Sequence, residues 1–482
     1  MSKTIGWDRG LSVQADGKGL VGHAGAVLLR RCADKTGLTS ALSAGLTRRG
    51  LLPGWDRGVV LVQLAVAICL GATAMVDIEF LHHQAVVFGA TPSDATVRRA
   101  LDELDEKARA RIAKSRASVR ARVWRLLAER EAGFPWVCLA GKILTGWVVV
   151  DIDGTLITAH SKKEGAATTF KKGFGHHPLG AWVQNTAESL VMTLRAGNAG
   201  SNTASDHIEV VKESIAQIPW RFRRRLLFRV DGAGASHALM EHLAGLNTAR
   251  RTVTFVCGWT STDADENAIA ALPESAWTLA VDVDGEMQDG VGARPLAHVA
   301  ELTGLATRLE HWPDGVRLIV RRSKPSRRHE RKLTAFEKKT GWRYQILATT
   351  ITKLADVPGS HHPHFLDVLY RHRGGAAEQA VRTGKALGLR NLPSKTWNVN
   401  QGWIIAANIA NDLHAYTRLL GLTDHPDLAA ATPDTLRFRL WHLPARLATH
   451  ARRRVLKIPA DWPWAKTFID CWNRLATLPD PG

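Results

Sequence analysis

The sequence predicts an α/β protein in which a central sheet is flanked by helical regions at both ends of the chain. Two patterns predict it: short valine-rich runs alternate with helix-periodic segments between residues 147 and 257, and helical periodicity dominates on either side. The composition, with 45% apolar and 23% charged residues, is that of a globular protein and excludes a disordered chain. At roughly 150 residues per domain, 482 residues allow about three domains.

The charge balance is the first property that bears on function. Lys and Arg number 64 against 45 Asp and Glu, a formal net charge of +19. Such an excess favours a polyanionic partner, nucleic acid first and an anionic membrane surface second. The five cysteines are far apart and never form a Cys-x-x-Cys pair, which predicts a reducing compartment and neither a disulfide framework nor a zinc site. The opening residues, MSKTIGWDRG, lack the apolar core of a signal peptide.

Residues 1–141 are predicted to be a helical region that binds DNA. Their most apolar run, Val59 to Met75, is short and interrupted by polar and glycine residues, which predicts a buried helix and not a membrane span. A second helix is predicted from Asp94 past Leu104, with Arg98 and Arg99 on an exposed face. These two arginines either contact DNA, as in a recognition helix, or belong to an ordinary solvated face.

Residues 142–259 have the pattern of a ribonuclease-H-like core. Three strands are followed by a helix, a strand, a second helix and a final strand, which is the order expected of that fold. The predicted strands are Trp147 to Ile152, Leu179 to Val183, Ser189 to Leu194, Leu226 to Val230 and Thr252 to Cys257, and the predicted helices are Thr203 to Ile218 and Ser236 to Leu246.

The rest of the chain is predicted to interrupt this core, return to it and end in helices. Residues 260–362 read as a β-rich insertion subdomain, and residues 363–400 supply a core helix that carries Glu378. Residues 401–482 form a C-terminal helical basic region. The insertion strands are predicted at Trp277 to Val283, Val316 to Arg322 and Trp342 to Thr349, and the clearest terminal helix at Trp403 to Leu420.

Three acidic residues from distant positions are predicted to meet at one edge of the sheet. Asp153 ends the first strand, Asp231 ends the fourth, and Glu378 lies on the later helix. The carboxyl ends of neighbouring parallel strands collect catalytic groups, so we expect the three carboxylates to converge on a pair of divalent cations that catalyse phosphodiester transfer. Hard oxygen ligands favour two Mg²⁺ ions, for which Mn²⁺ can substitute.

The segment Asp151-Ile-Asp153-Gly-Thr leaves a second interpretation open. It also resembles the first motif of haloacid-dehalogenase phosphatases, in which Asp151 would be the nucleophile and Asp153 the acid/base. Asp151 competes with Asp153 as first metal ligand as well. A phosphatase of that class also needs a later Ser or Thr, a Lys and a paired-acid motif. The only segment that resembles the paired-acid motif is Asp282-Val-Asp284-Gly.

Basic side chains accompany the predicted acids. Glu378, Arg382 and Lys385 share one helical face, which would seat cations beside a metal-bound phosphate or form an ordinary solvated face. Gly374 and Gly375 make a helix before this point doubtful, so the preceding Tyr and Arg are expected on the approach to it.

Two further stretches, Arg321 to Lys332 and Leu436 to Ala460, carry seven Lys or Arg each, enough to follow a duplex backbone unless they are simply solvated. The DNA-contacting residues predicted across the chain are Tyr370, Arg373, Arg382, Lys385, Arg98, Arg99, Arg321, Arg322, Arg452 and Arg453.

Longer motifs carry a specific family resemblance. They are Asp151-Ile-Asp153-Gly-Thr, His160-Ser-Lys-Lys-Glu-Gly-Ala166, Phe170-Lys-Lys-Gly-Phe-Gly-His-His-Pro-Leu179, Arg229-Val-Asp231, Gly388-Leu-Arg-Asn-Leu-Pro393, Pro444-Ala-Arg446-Leu and Ala451-Arg-Arg-Arg454. With these motifs the chain resembles bacterial insertion-sequence transposases of the DDE class. It is similar to the group with a Tyr, Arg, Glu, Lys signature, and within it to the insertion sequence thirteen-eighty family.

The resemblance implies a ribonuclease-H-like catalytic domain with an insertion between the second Asp and the Glu. It assigns Asp153, Asp231 and Glu378 as the catalytic metal ligands and Tyr370 as a DNA contact near the cleaved end. It also implies binding to terminal inverted repeats and target DNA, a homodimer in a synaptic complex, and a cytoplasmic, nucleoid-associated protein without a membrane partner. Four residues separate Arg373 from Glu378, where the family signature usually has three. A non-catalytic repressor derived from such an enzyme is the remaining alternative.

Overall fold

The computed structural model describes residues 12–47, 54–292, 294–306 and 308–481, so the opening segment MSKTIGWDRG and the prediction made on it lie outside the described residues. The first part of the chain is helical. Its elements are β1 (Leu20–Val21), α1 (Ala26–Thr36), α2 (Leu38–Leu46), α3 (Arg57–Cys69), α4 (Glu79–His82), α5 (Ala85–Phe88), α6 (Asp94–Asp102) and α7 (Glu106–Ala128).

The apolar helix α3 is a core element. The Asp56 carboxylate caps its N-terminus by accepting the N–H of Val59 at 2.8 Å, and every residue from Val60 to Cys69 is buried. The prediction of a buried helix is therefore confirmed. Among the described residues, no helix is long and apolar enough to cross a membrane.

The helix predicted from Asp94 onwards is shorter than expected. It ends at Asp102, and Asp105 caps a separate helix, α7, by accepting the N–H of Ala108 at 2.7 Å. A new cap residue this close to the preceding helix end forces a break between them, because the Ncap residue has non-helical backbone angles.

The middle of the chain alternates strands and helices. Its elements are β2 (Cys138–Leu139), β3 (Lys142–Ile143), β4 (Val148–Gly154), β5 (Ile157–Thr158), β6 (Ala167–Thr168), β7 (Phe174–His176), β8 (Leu179–Val183), β9 (Glu188–Thr193), α8 (Ala204–Gln217), β10 (Arg225–Val230), α9 (His237–Gly245), β11 (Thr252–Trp259) and α10 (Asp263–Ala270). The strands and helices predicted between residues 147 and 257 are all present, within a few residues of their expected bounds.

The elements after α10 complete the sheet and then return to helix. They are β12 (Thr278–Leu279), β13 (Ala297–Glu301), β14 (Arg317–Ser323), α11 (Arg327–Glu330), α12 (Ala335–Thr340), β15 (Arg343–Thr349), α13 (Pro363–Gly384), α14 (Trp397–Tyr416), α15 (Pro426–Ala429), α16 (Pro433–Leu436), β16 (Ala445–His450), β17 (Arg453–Lys457) and α17 (Ala465–Thr477).

The described residues form one large mixed sheet of nine strands in the order β12-β13-β14-β15-β11-β10-β4-β8-β9. Strands β4, β10 and β11 are parallel to one another. At one side β8 pairs antiparallel with β4, and β9 pairs antiparallel with β8, so β9 runs in the same direction as β4. On the other side β15 pairs antiparallel with β11. The β-rich insertion therefore extends the central sheet instead of packing as a sheet of its own.

The C-terminal region differs from a purely helical one. Strands β16 and β17 form a hairpin, and β1 from the start of the chain adds a third strand. The hairpin turn places Ala451 and Arg452 in the left-handed region, with φ of 47° and 63°. The arginine-rich stretch that reads as basic helix is thus the tip of a hairpin.

One large hydrophobic cluster of the described residues joins the N-terminal helices, the sheet and the C-terminal helices. A second cluster packs α13 against β4 and β10. A buried ion-pair network fastens the helices and the sheet further: Arg116 and Arg120 of α7 both bind Asp412 of α14, and Arg120 also binds Glu188 of β9 at 2.7 Å. These charges are fully paired, as buried charges must be. The N-terminal helices and the sheet consequently pack as one body.

Candidate active site

Two of the predicted acids meet at the carboxyl ends of neighbouring strands. The parallel register pairs Val230 of β10 with Ile152 of β4, so the next residues, Asp231 and Asp153, lie at the same level. The Asp153 side chain is 27% exposed. Burial raises the pKa of its carboxyl, the Asp231 charge adds to the rise, and the cation of Arg373 opposes it.

The Asp231 carboxylate is held by its own turn. Its Oδ1 accepts the N–H of Gly234 at 2.7 Å, which fixes the side chain at the end of β10. Together with Asp153 it places two carboxylates in one partly buried site, the arrangement expected of strand-end acids in an open α/β sheet.

Asp151 has a different role from Asp153. It is 2% exposed, and both of its oxygens accept from the guanidinium of Arg229, at 2.7 and 2.8 Å. Arg229 is fully buried and also donates to the Leu369 carbonyl and to the side chain of Gln184. Both oxygens of this buried carboxylate are held by the guanidinium and the pair is closed to solvent, which argues against both the phosphatase interpretation and Asp151 as first metal ligand.

Helix α13 brings two predicted residues to the acid pair. Arg373 is buried, donates to the Ile152 carbonyl at 2.7 Å and lies 3.5 Å from the Asp153 carboxylate. Tyr370 is half-buried, and burial raises the pKa of its hydroxyl to about 12, with Arg373 opposing the rise and Asp231 adding to it. Arg373 therefore contacts Asp153 from within the helix, and the helix runs unbroken through Gly374 and Gly375, contrary to the prediction.

Glu378 is not at the acid pair in this structure. Its side chain is 63% exposed and pairs with Arg382 at 2.5 Å. Five residues beyond Arg373, it lies about 140° around the helix axis and about 7.5 Å further along it. Across the described ranges, no group of three or more His, Cys, Asp or Glu side chains is arranged to hold a metal ion.

Two histidines near the acids were missed as site residues. The Nδ1 of His177 lies 3.0 Å from the Ala199 carbonyl, and the Nδ1 of His207 lies 3.0 Å from the Thr203 carbonyl. Burial lowers the pKa of both rings, while Asp231 opposes the shift. A Cβ added at Gly234 would lie 2.9 Å from His207 Nε2 and 3.1 Å from Asp231 Oδ1. His207 and Asp231 therefore border the same side of this glycine.

For His177, the only sequence signal was its place in the His-His-Pro-Leu motif. His207 sits in a helix with no sequence signal beyond its place on the buried face.

The remaining predicted DNA contacts separate into exposed and buried groups. Arg98 and Arg99 on α6 and Arg452 and Arg453 at the hairpin are exposed, as the predictions require, and Arg382 is exposed beside Glu378. Lys385, half-buried, follows the end of α13.

Arg321 and Arg322 are a correction. Both are buried: Arg321 pairs with Asp367 at 2.7 Å, and Arg322 pairs with Glu274 between the rings of Trp277 and Trp342. The alternation of β14 directs them into contacts with neighbouring elements, so neither guanidinium is free to meet a phosphate.

Comparison with known proteins identifies the family. The fold places the chain in the class of open α/β proteins that carry an acidic site at the ends of parallel strands. Within that class, the chain belongs to the transposase DDE domain group 1 family, which matches residues 3–480. A cryo-EM structure of a piggyBac transposase synaptic complex with hairpin DNA aligns with 87% of this chain and 78% of its own, at 11% sequence identity and a TM-score of 0.39. Comparison with curated proteins gives no match.

Proposed function

We propose that the protein binds the terminal inverted repeats of a bacterial insertion sequence, cleaves the element ends and transfers the 3′ ends to target DNA. The observation that carries the proposal is the pair Asp153 and Asp231 at the ends of neighbouring parallel strands, in a chain of a DDE transposase family. The motifs quoted above favour the insertion sequence thirteen-eighty group. DNA, at the nucleoid, is the partner that the net charge of +19 fits.

The catalytic core in this proposal is ribonuclease-H-like. The strand order β9-β8-β4-β10-β11 supports that assignment, because β8 alone among these five strands runs antiparallel to β4. The helices α8 and α9 fall between the strands in the order that the fold requires.

The two carboxylates fit divalent cations, with Mg²⁺ the natural choice and Mn²⁺ as a substitute. Side by side in a partly buried site, Asp153 and Asp231 repel each other, and the raised pKa of Asp153 reflects burial together with that repulsion. Cations held by Asp153, Asp231 and Glu378 would activate the attacking water or 3′ hydroxyl and stabilise the leaving oxygen. Arg373 keeps Asp153 oriented by its bond to the Ile152 carbonyl.

Glu378 joins the pair, in this proposal, through a change in α13. The face that carries Arg373 continues through the buried Ala377, so a glutamate one position earlier would already face the carboxylates. A π-type turn that takes up one residue between Arg373 and Glu378 rotates the glutamate by about 100° onto that face. Gly374 and Gly375 are the residues in α13 that resist such a change least.

The element has two ends, and we propose that two copies of the chain hold them together as a homodimer in the synaptic complex. Each copy would contribute one pair of carboxylates. The exposed arginines of α6 and of the β16–β17 hairpin are the proposed contacts with the repeat.

The test uses purified full-length protein and a duplex that carries the DNA flanking this reading frame. We expect Mg²⁺-dependent strand cleavage at the element end, and loss of at least about a hundredfold in rate for Asp153→Asn, Asp231→Asn and Glu378→Gln, with binding of the duplex retained. Glu241→Gln, which changes another exposed helical glutamate, serves as the matched control and should cleave normally. Undiminished cleavage by Glu378→Gln would remove Glu378 from the site, and binding without any cleavage by the wild type would favour the repressor.

A further inference from the structure

A small three-stranded sheet lies directly beside the acid pair. Residues 157–176, which contain β5, β7 and β6 in that spatial order, leave the end of β4 and return at the start of β8. Asp153 pairs with Gly180 of β8, so both connections of this small sheet start at the level of the carboxylate. The small sheet holds the Phe170-Lys-Lys-Gly-Phe segment, to which the proposed chemistry gives no task.

The base of the small sheet is fixed to the core. The Glu164 carboxylate accepts the N–H of Trp397 at 2.6 Å, and the Glu164 N–H donates to the Lys395 carbonyl at 2.9 Å. Lys163 donates to the Leu392 carbonyl. These bonds attach it to the segment between α13 and α14, so the small sheet has a defined position relative to both Asp153 and α13.

The tip of the small sheet is a tight turn that exposes aromatic and basic side chains. Lys172 has a φ of 60°, its N–H donates to the Thr169 carbonyl at 2.9 Å, and the Thr169 N–H donates to the Gly173 carbonyl at 2.8 Å. This turn leaves Phe170 64% exposed and Phe174 41% exposed. Lys171 and Lys172 are exposed beside them.

The tip is connected to the active site through one ring. Phe170 lies 5.3 Å from the ring of His177, centroid to centroid, and the Nε2 atom of His177 is 2.7 Å from the position of a Cβ on Gly154. Gly154 is the residue after Asp153. A polymer that rests on Phe170 therefore passes within reach of the carboxylates.

The positive charge of the small sheet favours binding of an anion. The sequence of the small sheet contains four lysines and one acid, Glu164, whose carboxylate is already used by Trp397. Exposed phenylalanines interleaved with lysines offer stacking faces for bases and counter-charges for phosphates, the pattern of single-strand and end-binding surfaces.

From these observations we infer that the tip of the small sheet, Phe170 to Phe174, is a DNA-binding element that holds the strand to be cleaved at Asp153 and Asp231. Lys171 and Lys172 bind its phosphates, and Phe170 stacks on a base next to the cleaved bond. The inference deepens the proposed transposase function and rests on it.

Binding is measured first, in the Asp231→Asn background so that no cleavage occurs, with the flanking-DNA duplex between about 50 and about 200 mM salt. Lys171→Ala with Lys172→Ala should lower the slope of log affinity against log salt by about 2, because each phosphate contact contributes about 0.9. The exposed pair on α12 supplies the matched control: Lys338→Ala with Lys339→Ala should leave the slope unchanged. An unchanged slope in the tip variant overturns the inference.

Stacking is tested in the active protein with 2-aminopurine at the terminal base of the same duplex. Phe170→Ala should lower cleavage roughly tenfold and remove the quenching of the fluorophore, whereas Phe170→Trp should preserve both. Phe438→Ala, at an equally exposed phenylalanine, is the control. If the wild type cleaves, and Phe170→Ala cleaves and quenches the fluorophore equally well, the inference about the tip is wrong and the transposase proposal is unaffected. If the wild type never cleaves, the transposase proposal itself is wrong.

Discussion

At the scale of single residues, the decisive contrast is between Asp151 and Asp153, two residues apart on one strand. Alternation along β4 places both side chains on the same face of the sheet, so their depth in the fold separates them. Asp151 lies within the strand and meets Arg229 in a buried bidentate pair, while Asp153 lies at the strand end beside Asp231. The same Asp-x-Asp motif thus supplies one structural and one candidate catalytic carboxylate.

The first stability prediction concerns that buried pair. Arg229→Leu should lower the free energy of unfolding by about 3–5 kcal/mol, since it leaves the Asp151 charge buried without its partner. Chemical denaturation of the purified protein measures the change. Arg125→Ala, which removes an exposed pair with Glu129, should have little effect.

A double substitution, Arg229→Leu with Asp151→Leu, should recover much of the loss, because neither charge is then stranded. If Arg229→Leu alone were as stable as the wild type, the pair would not be the structural lock that its geometry indicates.

At the scale of elements, α13 decides whether the third acid can act. Its glycine pair does not break the helix, because Phe365 and Leu369 pack in the core before the pair and Ala377 is buried after it. Tertiary packing therefore overrides the low helix propensity of glycine at this point.

The corresponding prediction uses Gly374→Ala with Gly375→Ala. An added Cβ at either position meets no heavy atom within 4 Å, so the substitution should stabilise the helix by roughly 1 kcal/mol per site without a clash. A stiffer helix should resist the turn that delivers Glu378, and we expect cleavage to fall severalfold while duplex binding is unchanged. Thermal melting and single-turnover cleavage measure the two effects.

The control for that variant is Ala376→Gly, which should loosen the same stretch and leave cleavage intact or faster. Equal or faster cleavage by the double alanine variant would contradict a rearrangement of α13, and Glu378 would then have to act from its present position.

Sequence patterns predicted the elements closest to the acids best. Strands β4, β8, β10 and β11 are short apolar runs buried on both faces, a pattern with few alternatives. The parallel ends of β4 and β10 then placed Asp153 beside Asp231. Arg321 and Arg322 could not be placed in the same way. Their partners, Asp367 and Glu274, lie 46 and 48 residues away, and local charge density does not reveal such pairing.

At the scale of the whole molecule, one core runs from the N-terminal helices through the sheet to α17, and no sequence pattern indicated that the expected regions would share it. Long-range contacts of this kind depend on which apolar faces meet, and periodicity defines the faces without their partners. The buried network of Arg116, Arg120 and Asp412 shows the result, since it unites helices almost 300 residues apart in the chain.

This extensive core also buries histidines, and that predicts how stability depends on pH. Burial lowers the pKa of His414 well below its ordinary value of 6.5, and the charges of Arg418 and Arg437 lower it further. The unfolded chain therefore binds a proton at this position more readily than the folded one, so the contribution to stability is retained above about pH 6.5 and lost as the pH falls below it. Within the described part of the chain, the Nδ1 atom of His414 has no hydrogen-bond partner that could compensate.

We expect the free energy of unfolding to fall between about pH 7.5 and about pH 5.5, and His414→Leu to reduce that fall by roughly 1 kcal/mol, because one group titrating over one pH unit is worth about 1.4 kcal/mol. Urea denaturation at the two pH values measures it. His450→Leu, at an exposed histidine of the hairpin, should leave the pH dependence as in the wild type. If His414→Leu lost as much stability on acidification as the wild type, acid sensitivity would have to come from other buried groups, with His207 beside Asp231 the next to replace.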